Sequence, residues 1–434
     1  MRGGDLFAWT PLEKGGITEC RAFSGPFPRV TSMTKLTPAA RVGRIQTSPS
    51  TLASQRAREL KAEGQDIIAL SSGEPDFQTP DHIVEAAYKA MKAGQTKYTT
   101  VTGTADLKAA IVEKFRRENG IDYKPEEIMV STGAKQVLFN ALMATVGAGD
   151  EVIIPAPYWI SYAQIVQLGS GTPISIPCPV GTGFKLTPQA LERAITPRTK
   201  WLMLNSPSNP SGAVYSAADL RALADVLLKH PNIWILSDDI YEHIVFDGRK
   251  VETIVGVEPR LKDRTVTVNG VSKAYAMTGW RIGYCGAPTA LIREMTKLQS
   301  QCTSGPSSIG QAAAVAALTG PQHFVAERAK AFQDRRDLVV SMLNQARGIH
   351  CPSPEGAFYV YPSCAELIGK RTPEGKVIAN DSDFVMYLMD SHGVAVVQGE
   401  AYGISPHFRI SFAASTEDLT RACERIQRAA AELT

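Results

Sequence analysis

Short apolar runs alternate with amphipathic ones along this chain. The apolar runs are Ile67–Leu70, Ile128–Ser131, Glu151–Pro155, Trp201–Asn205, Trp234–Asp238, Val266–Asn269 and Ile282–Gly286. Runs this short, with no polar alternation, predict strands buried on both faces. Between them, Ser50 to Glu63, His82 to Ala93, Leu107 to Asn119 and about Lys135 to Val146 carry apolar residues at helical spacing. Such alternation predicts an α/β protein whose mostly parallel sheet lies between two helical layers. The last third changes character. A long helix from Phe324 to Leu343 precedes strand candidates at Ala357–Tyr361 and Phe408–Phe412, a mixture that predicts a separate α+β domain. No internal repeat or low-complexity tract occurs.

Length and composition narrow the function classes. With 434 residues, one large domain plus a smaller one is the default, and 44% hydrophobic residues can fill a sizeable core. No apolar run approaches the ~20 residues that span a bilayer, so no membrane partner is expected. The net charge of +3 is spread without a basic block, which argues against nucleic acid. Seven scattered cysteines, with no Cys-x-x-Cys pair, predict reduced thiols and a cytoplasmic protein, with no metal site. Residues 1–32 are rich in glycine and proline without periodicity. They read as a disordered extension ahead of Met33; Asp5, Glu13 and Glu19 count against a transit peptide.

Candidate chemistry gathers at the strand ends, where open parallel sheets bind ligands. Lys273 stands in Gly270-Val-Ser-Lys-Ala-Tyr-Ala-Met-Thr-Gly-Trp-Arg-Ile-Gly283, among small and apolar neighbours, with Arg281 eight positions on. Desolvation lowers an amine's pKa toward the range where it acts as a nucleophile. That suits an imine-forming lysine, for which pyridoxal phosphate is the commonest aldehyde partner. Asp238 ends a strand, with Tyr241 three residues on, although Ser-Asp-Asp also reads as a helix cap. Asn209 lies in the turn-rich run Asn205–Gly212, which alone reads as turn chemistry. Ser131–Lys135 is a strand–glycine–helix junction able to accept phosphate through free amides; it lacks the Walker ending. Together these residues can supply an imine lysine, a carboxylate for a pyridine nitrogen, donors to a ring oxygen, a stacking aromatic (Trp159) and a phosphate cup.

From about residue 40 to 434 the sequence resembles the class I, fold type I aminotransferases, nearest to the bacterial aspartate aminotransferase branch. The resemblance is carried by Ser72–Phe77, Lys97-Tyr98, Pro157-Tyr158-Trp159, Asn209-Pro-Ser-Gly212, Ser237–Glu242, Gly270–Gly283 and Phe408–Ser411. It implies a large domain with a mostly parallel seven-stranded sheet over residues 81–320, and a smaller α+β domain from 33–80 and 321–434. It also implies roles for particular residues. Lys273 would bind pyridoxal 5′-phosphate as an imine and carry the substrate proton. Asp238 would keep the ring nitrogen protonated, and Asn209 and Tyr241 would donate to the ring oxygen. Trp159 would stack on the ring, while Gly133, Ala134, Ser272 and Arg281 would hold the phosphate. Tyr98 would reach the cofactor of a second subunit, implying a homodimer. Arg409 would clamp the substrate carboxylate, with Gly73 beside it. Lys135, Ser48 and Ser50 would take the distal carboxylate of aspartate, glutamate and their 2-oxo acids. Relatives that accept prephenate carry a lysine or arginine just before the serine pair. Gln46 stands there instead, which lowers the expectation for prephenate. The implied reaction is aspartate with 2-oxoglutarate. An aminotransferase for aromatic amino acids, alanine or prephenate is the alternative. A transcriptional regulator on the same fold is disfavoured, since residues 1–32 carry no helix-turn-helix pattern. A non-catalytic scaffold is disfavoured by the intact lysine and arginines. Trp280 and Phe358 read as packing residues.

Overall fold

The computed structural model describes residues 36–434, so the expected extension at 1–32 lies outside the described residues. Residues Arg41–Thr434 form one compact unit. Its strands are β1 (Ile68–Ala69), β2 (Ile128–Thr132), β3 (Glu151–Ala156), β4 (Thr172–Pro177), β5 (Thr199–Asn205), β6 (Trp234–Asp238), β7 (Thr265–Gly270), β8 (Ile282–Gly286), β9 (Tyr359–Val360), β10 (Val394–Ala395), β11 (Val397–Gln398) and β12 (Phe408–Ser411).

Seven of them form one sheet in the order β2-β8-β7-β6-β5-β3-β4. Strands β4, β3, β5, β6 and β7 pair in parallel, and β8 runs antiparallel to both its neighbours, β7 and β2. Successive side chains of a strand face opposite sides, and here both sides are buried. Ile153, Leu202, Leu204 and Ile235 enter one core, while Val152, Ile154, Trp201, Met203 and Leu236 enter the other. Each such side chain contributes about 1.5–3 kcal/mol on burial, which is why these strands read as continuous apolar runs. β4 escaped the sequence reading because Thr172-Pro-Ile-Ser-Ile-Pro177 carries two prolines and lies at the sheet edge, where proline costs no ladder bond.

A second apolar core joins Ile68 and Leu70 to Phe332, Phe358, Phe384, Phe408 and Ile426. Parallel pairing of β1 with β10 brings the early segment to the C-terminal third, and β9, β11 and β12 form a three-stranded sheet. The long helix runs His323–Leu343, close to expectation. The helix expected over Leu107–Asn119 is α-helical over Ala105–Lys114, with Thr104 as its N-cap, and finishes as a π-turn over Phe115–Asn119.

Candidate active site

The parallel strands of the large sheet end on one edge, and β8, being antiparallel, begins there. Thr132 of β2 pairs with Ile282 of β8, and Gly270 of β7 with Gly283. Arg281, just ahead of β8, therefore stands beside the loops that leave β2, β6 and β7. A cleft of about 570 Å³ opens at this edge. Lys273, Asp238, Tyr241, Ser272, Asn209, Trp159, Ala134, Arg281, Lys135, Ser50, Gly73 and Arg409 all line it.

Lys273 is half-buried and its Nζ donates to the Gly73 carbonyl at 2.6 Å. Desolvation, then the Arg281 and Arg409 cations, lowers its pKa to about 8. A share of the amine is thus neutral and nucleophilic near pH 8. Asp238 is buried, and burial raises its carboxyl to about 6, partly offset by the Tyr162 hydroxyl that donates to its Oδ2 at 2.6 Å. A protonated ring nitrogen brought beside this carboxylate would hold it charged. Tyr241, also buried, shares a hydrogen bond with the Tyr359 hydroxyl at 2.9 Å, and burial pushes its pKa well above the ordinary value. Its phenol stays protonated and can donate.

The residues that fit a phosphate cluster around the first turn of the helix Ala134–Thr145. The amides of Ala134 and Lys135 have no acceptor inside the helix. Arg281 holds φ at +55°, the left-handed region, which is strained for a side-chain-bearing residue and common at functional sites. Its guanidinium donates to the Thr278 carbonyl at 2.9 Å and lies so close to Gly133 that a Cβ there would collide with it. A Cβ at Gly283 would strike the Gly133–Ala134 backbone. These glycines let an arginine, a serine hydroxyl and free amides converge, and that donor set suits a phosphate dianion. With an amine at Lys273 and a buried carboxylate at Asp238, the residues present fit pyridoxal 5′-phosphate.

Arg409 is 3% exposed. It donates to Asn209 Oδ1 at 3.0 Å and to the Ser71 carbonyl at 2.5 Å, and its guanidinium lies 4.5 Å from the Tyr359 ring centroid. Its Nε is buried without a hydrogen-bond partner among the described residues. Lys135 Nζ packs 4.6 Å over the Trp159 ring, and desolvation and the Arg281 charge lower its pKa. Ser48 does not line the cleft but bonds Ser50, Oγ to Oγ, at 2.9 Å. The Gln46 amide donates to Gln164 Oε1 at 2.8 Å. Tyr98 is fully exposed and not part of the lining.

Sequence reasoning missed Tyr162, Asn205, Tyr359 and Arg58, all of which line the cleft. Asn205 Nδ2 donates to the Asp238 carbonyl and its Oδ1 accepts from the Asn209 amide, both at 2.8 Å, so it carries the loop that presents Asn209. Its place as the last residue of β5 was the available signal.

The profile of the family "Aminotransferase class I and II" matches residues 65–426. The chain belongs to the class I and II aminotransferases. It is 58% identical over 396 residues to an aspartate aminotransferase of Rhizobium meliloti, covering 91% of this chain and 97% of that one. It is 57% identical over 386 residues to an aspartate/prephenate aminotransferase of Cereibacter sphaeroides, covering 89% and 96%. Among solved structures, an aspartate aminotransferase from Rhizobium meliloti superposes with a TM-score of 0.90 at 56% identity, over 92% of this chain and all of the other. This aminotransferase therefore has the fold type I architecture that its motifs implied.

In the cofactor-free protein the lowered lysine pKa has a direct consequence. Only the neutral amine attacks an aldehyde, so uptake of pyridoxal 5′-phosphate should quicken as pH rises through about 8. The growth of the visible absorbance band after mixing reads this rate. A rate flat between pH 7 and 9 would contradict the assignment.

Proposed function

We propose that this aminotransferase moves the amino group of L-aspartate to 2-oxoglutarate, giving oxaloacetate and L-glutamate, with pyridoxal 5′-phosphate held in the cleft. The observation that carries the reading is the lining of one cleft by Lys273, Asp238 and Arg409 together with a further cation, Lys135. When bound, the cofactor supplies an electron sink for the substrate carbanion. The protein's own residues do the rest. Lys273 would hold the cofactor at its aldehyde carbon and, once released by substrate, would carry the proton from the substrate α-carbon to that cofactor carbon. Asp238 holds a proton at the ring nitrogen, with Tyr162 fixing the carboxylate. Tyr241 and Asn209 donate to the ring oxygen, Trp159 covers the ring, and Ser272, Gly133, Ala134 and Arg281 hold the phosphate. Arg409 orients the α-carboxylate beside Gly73. Lys135, with Ser50 and Ser48 behind it, receives the distal carboxylate.

The full exposure of Tyr98 supports a homodimer in which it reaches the partner's cofactor. The separate apolar core around Phe332 and Phe408 supports a smaller domain, with divisions near 80/81 and 320/321. A cytoplasmic location fits the six cysteines found free among the described residues, and no described helix is long and apolar enough to cross a membrane.

A substrate panel tests this reading. Aspartate with 2-oxoglutarate should far outpace phenylalanine and alanine; the reverse order would remove aspartate as the substrate. The relative named for prephenate gives a second reading within the family, and prephenate belongs in the panel. With Lys135→Ala, kcat/KM for aspartate should fall by about tenfold, ~1.4 kcal/mol, because Lys135 is exposed and water screens the pair it would form. Alanine, with no distal carboxylate, should be nearly unaffected. Equal losses for both would show that Lys135 serves something other than the distal group.

A further inference from the structure

Strands β6 and β7 carry the two arms of the site: Asp238 ends β6 and Tyr241 follows it, and Lys273 follows β7. Their ladder ends with Asp238 opposite Val268 and the Asp239 amide donating to the Val268 carbonyl at 2.9 Å. Beyond that point, one hydrogen bond links residues 239–246 to residues 269–281 among the described residues. It runs from Asn269 Nδ2 to Glu242 Oε1, at 2.7 Å. Asn269 is 1% exposed, and its own Oδ1 accepts from the Gly270 amide at 2.7 Å, so the bridge is anchored on the Lys273 side.

Glu242 is anchored on the other side. Lys114, whose side chain is wholly buried, donates to Glu242 Oε1 and to Asn119 Oδ1, the latter at 2.7 Å. Asn119 Nδ2 donates to Glu242 Oε2 at 2.8 Å. The π-turn over Phe115–Asn119 swings Asn119 back beside Lys114. Glu118 and His243 complete the cluster: Glu118 Oε2 lies 3.6 Å from Lys114 Nζ, and the His243 ring nitrogen 2.9 Å from Glu118 Oε2. The Glu118–Glu242–His243 trio has metal-like spacing, but the Lys114 ammonium already stands as its cation. Asp239, buried beside Glu242, completes the charged groups facing the bridge. A carboxylate that accepts from Lys114, Asn119 and Asn269 has little freedom left to move.

We propose that Asn269 and Glu242, with Lys114 behind them, are positioning residues that fix the separation between the Asp238–Tyr241 arm and the Lys273 arm. The proposal rests on the pyridoxal phosphate reading, since those arms would grip opposite parts of one ring. None of the three residues lines the cleft. They act through the arms, whose misplacement by an ångström can cost large factors in rate.

The test uses the cofactor-loaded protein with Asn269→Leu, which keeps the branched shape without donating, and Asn269→Ser, which donates but cannot span to Glu242. Both leave the Lys114–Glu242 pair intact. Three quantities are read: the pH midpoint of the cofactor's visible absorbance, kcat and KM for aspartate, and the thermal midpoint. The expected result is a shift of the absorbance midpoint by about half a unit or more, with kcat about tenfold lower and KM little changed. An unshifted midpoint and wild-type kcat, whatever the thermal midpoint does, would reduce the bridge to a structural contact and overturn the proposal. If one variant does not fold, the other decides on the same criteria. A wild-type protein with no visible band would be a different failure, that of the cofactor reading itself, and would take this proposal with it.

Discussion

Lys273→Ala is expected to abolish transamination of every amino acid, lowering kcat by on the order of 10⁴-fold, the upper range for removing a positioned proton-transfer group. The tyrosines of the cleft are poor substitutes. Tyr241 and Tyr162 have pKa values pushed well above the ordinary range by burial, so neither yields its proton readily. Lys135 lies over the Trp159 face and is assigned to the substrate's distal carboxylate. A glutamate-formation assay measures the loss, and absorbance after borohydride treatment checks that the cofactor no longer becomes fixed to the chain. Activity within tenfold of wild type would sink the mechanism. The same substitution has a stability signature of opposite sense. The folded-state pKa of Lys273 is about 8, below the 10.5 of the free side chain, so folding disfavours its charged form. That cost is fully present below pH 8 and fades as pH rises toward 10.5. Cofactor-free Lys273→Ala should therefore melt no lower than wild type at pH 7, with its advantage shrinking above pH 8.

Arg409→Ala should lower kcat/KM for all amino-acid substrates by about 10³-fold, or ~4 kcal/mol, within the range for truncating a buried hydrogen-bonded charge partner. The loss should appear for aspartate and alanine alike, because both carry the α-carboxylate, and the cofactor absorbance should stay unchanged. Arg409→Lys should recover only part of it. A lysine brings charge but not the planar fork that bonds Asn209 and Ser71 together and lies against Tyr359. A loss confined to dicarboxylates would reassign Arg409 to the distal group and remove the clamp from this position.

The large sheet was legible in the sequence because its strands are apolar on both faces. Six of its seven strands stand out as runs with no polar break, and the seventh, Thr172–Pro177, was masked by its prolines. The residues placed at strand ends were legible for the same reason, since finding the strand finds its end. Side chains that support the site from elsewhere were not. Tyr162 reaches Asp238 across 76 positions and Tyr359 reaches Tyr241 across 118. Nothing in local periodicity reports a contact at that range. The Glu242–Asn269 bridge was hidden for a further reason: charged residues are seldom buried unless paired, and only the buried Lys114 shows why this carboxylate can remain inside.

The short stretch Ser71–Gly73 offers its carbonyls to both working cations, Gly73 to Lys273 across 200 positions and Ser71 to Arg409 across 338. At roughly 5–20 residues per second of synthesis, Ser71 waits about 20 to 70 seconds for Arg409 to be made. The large sheet can be complete well before then, while the cleft still lacks Arg409 in its lining. For a nascent chain, then, folding of the sheet and completion of the cleft are separate events, the second waiting on the synthesis of Arg409.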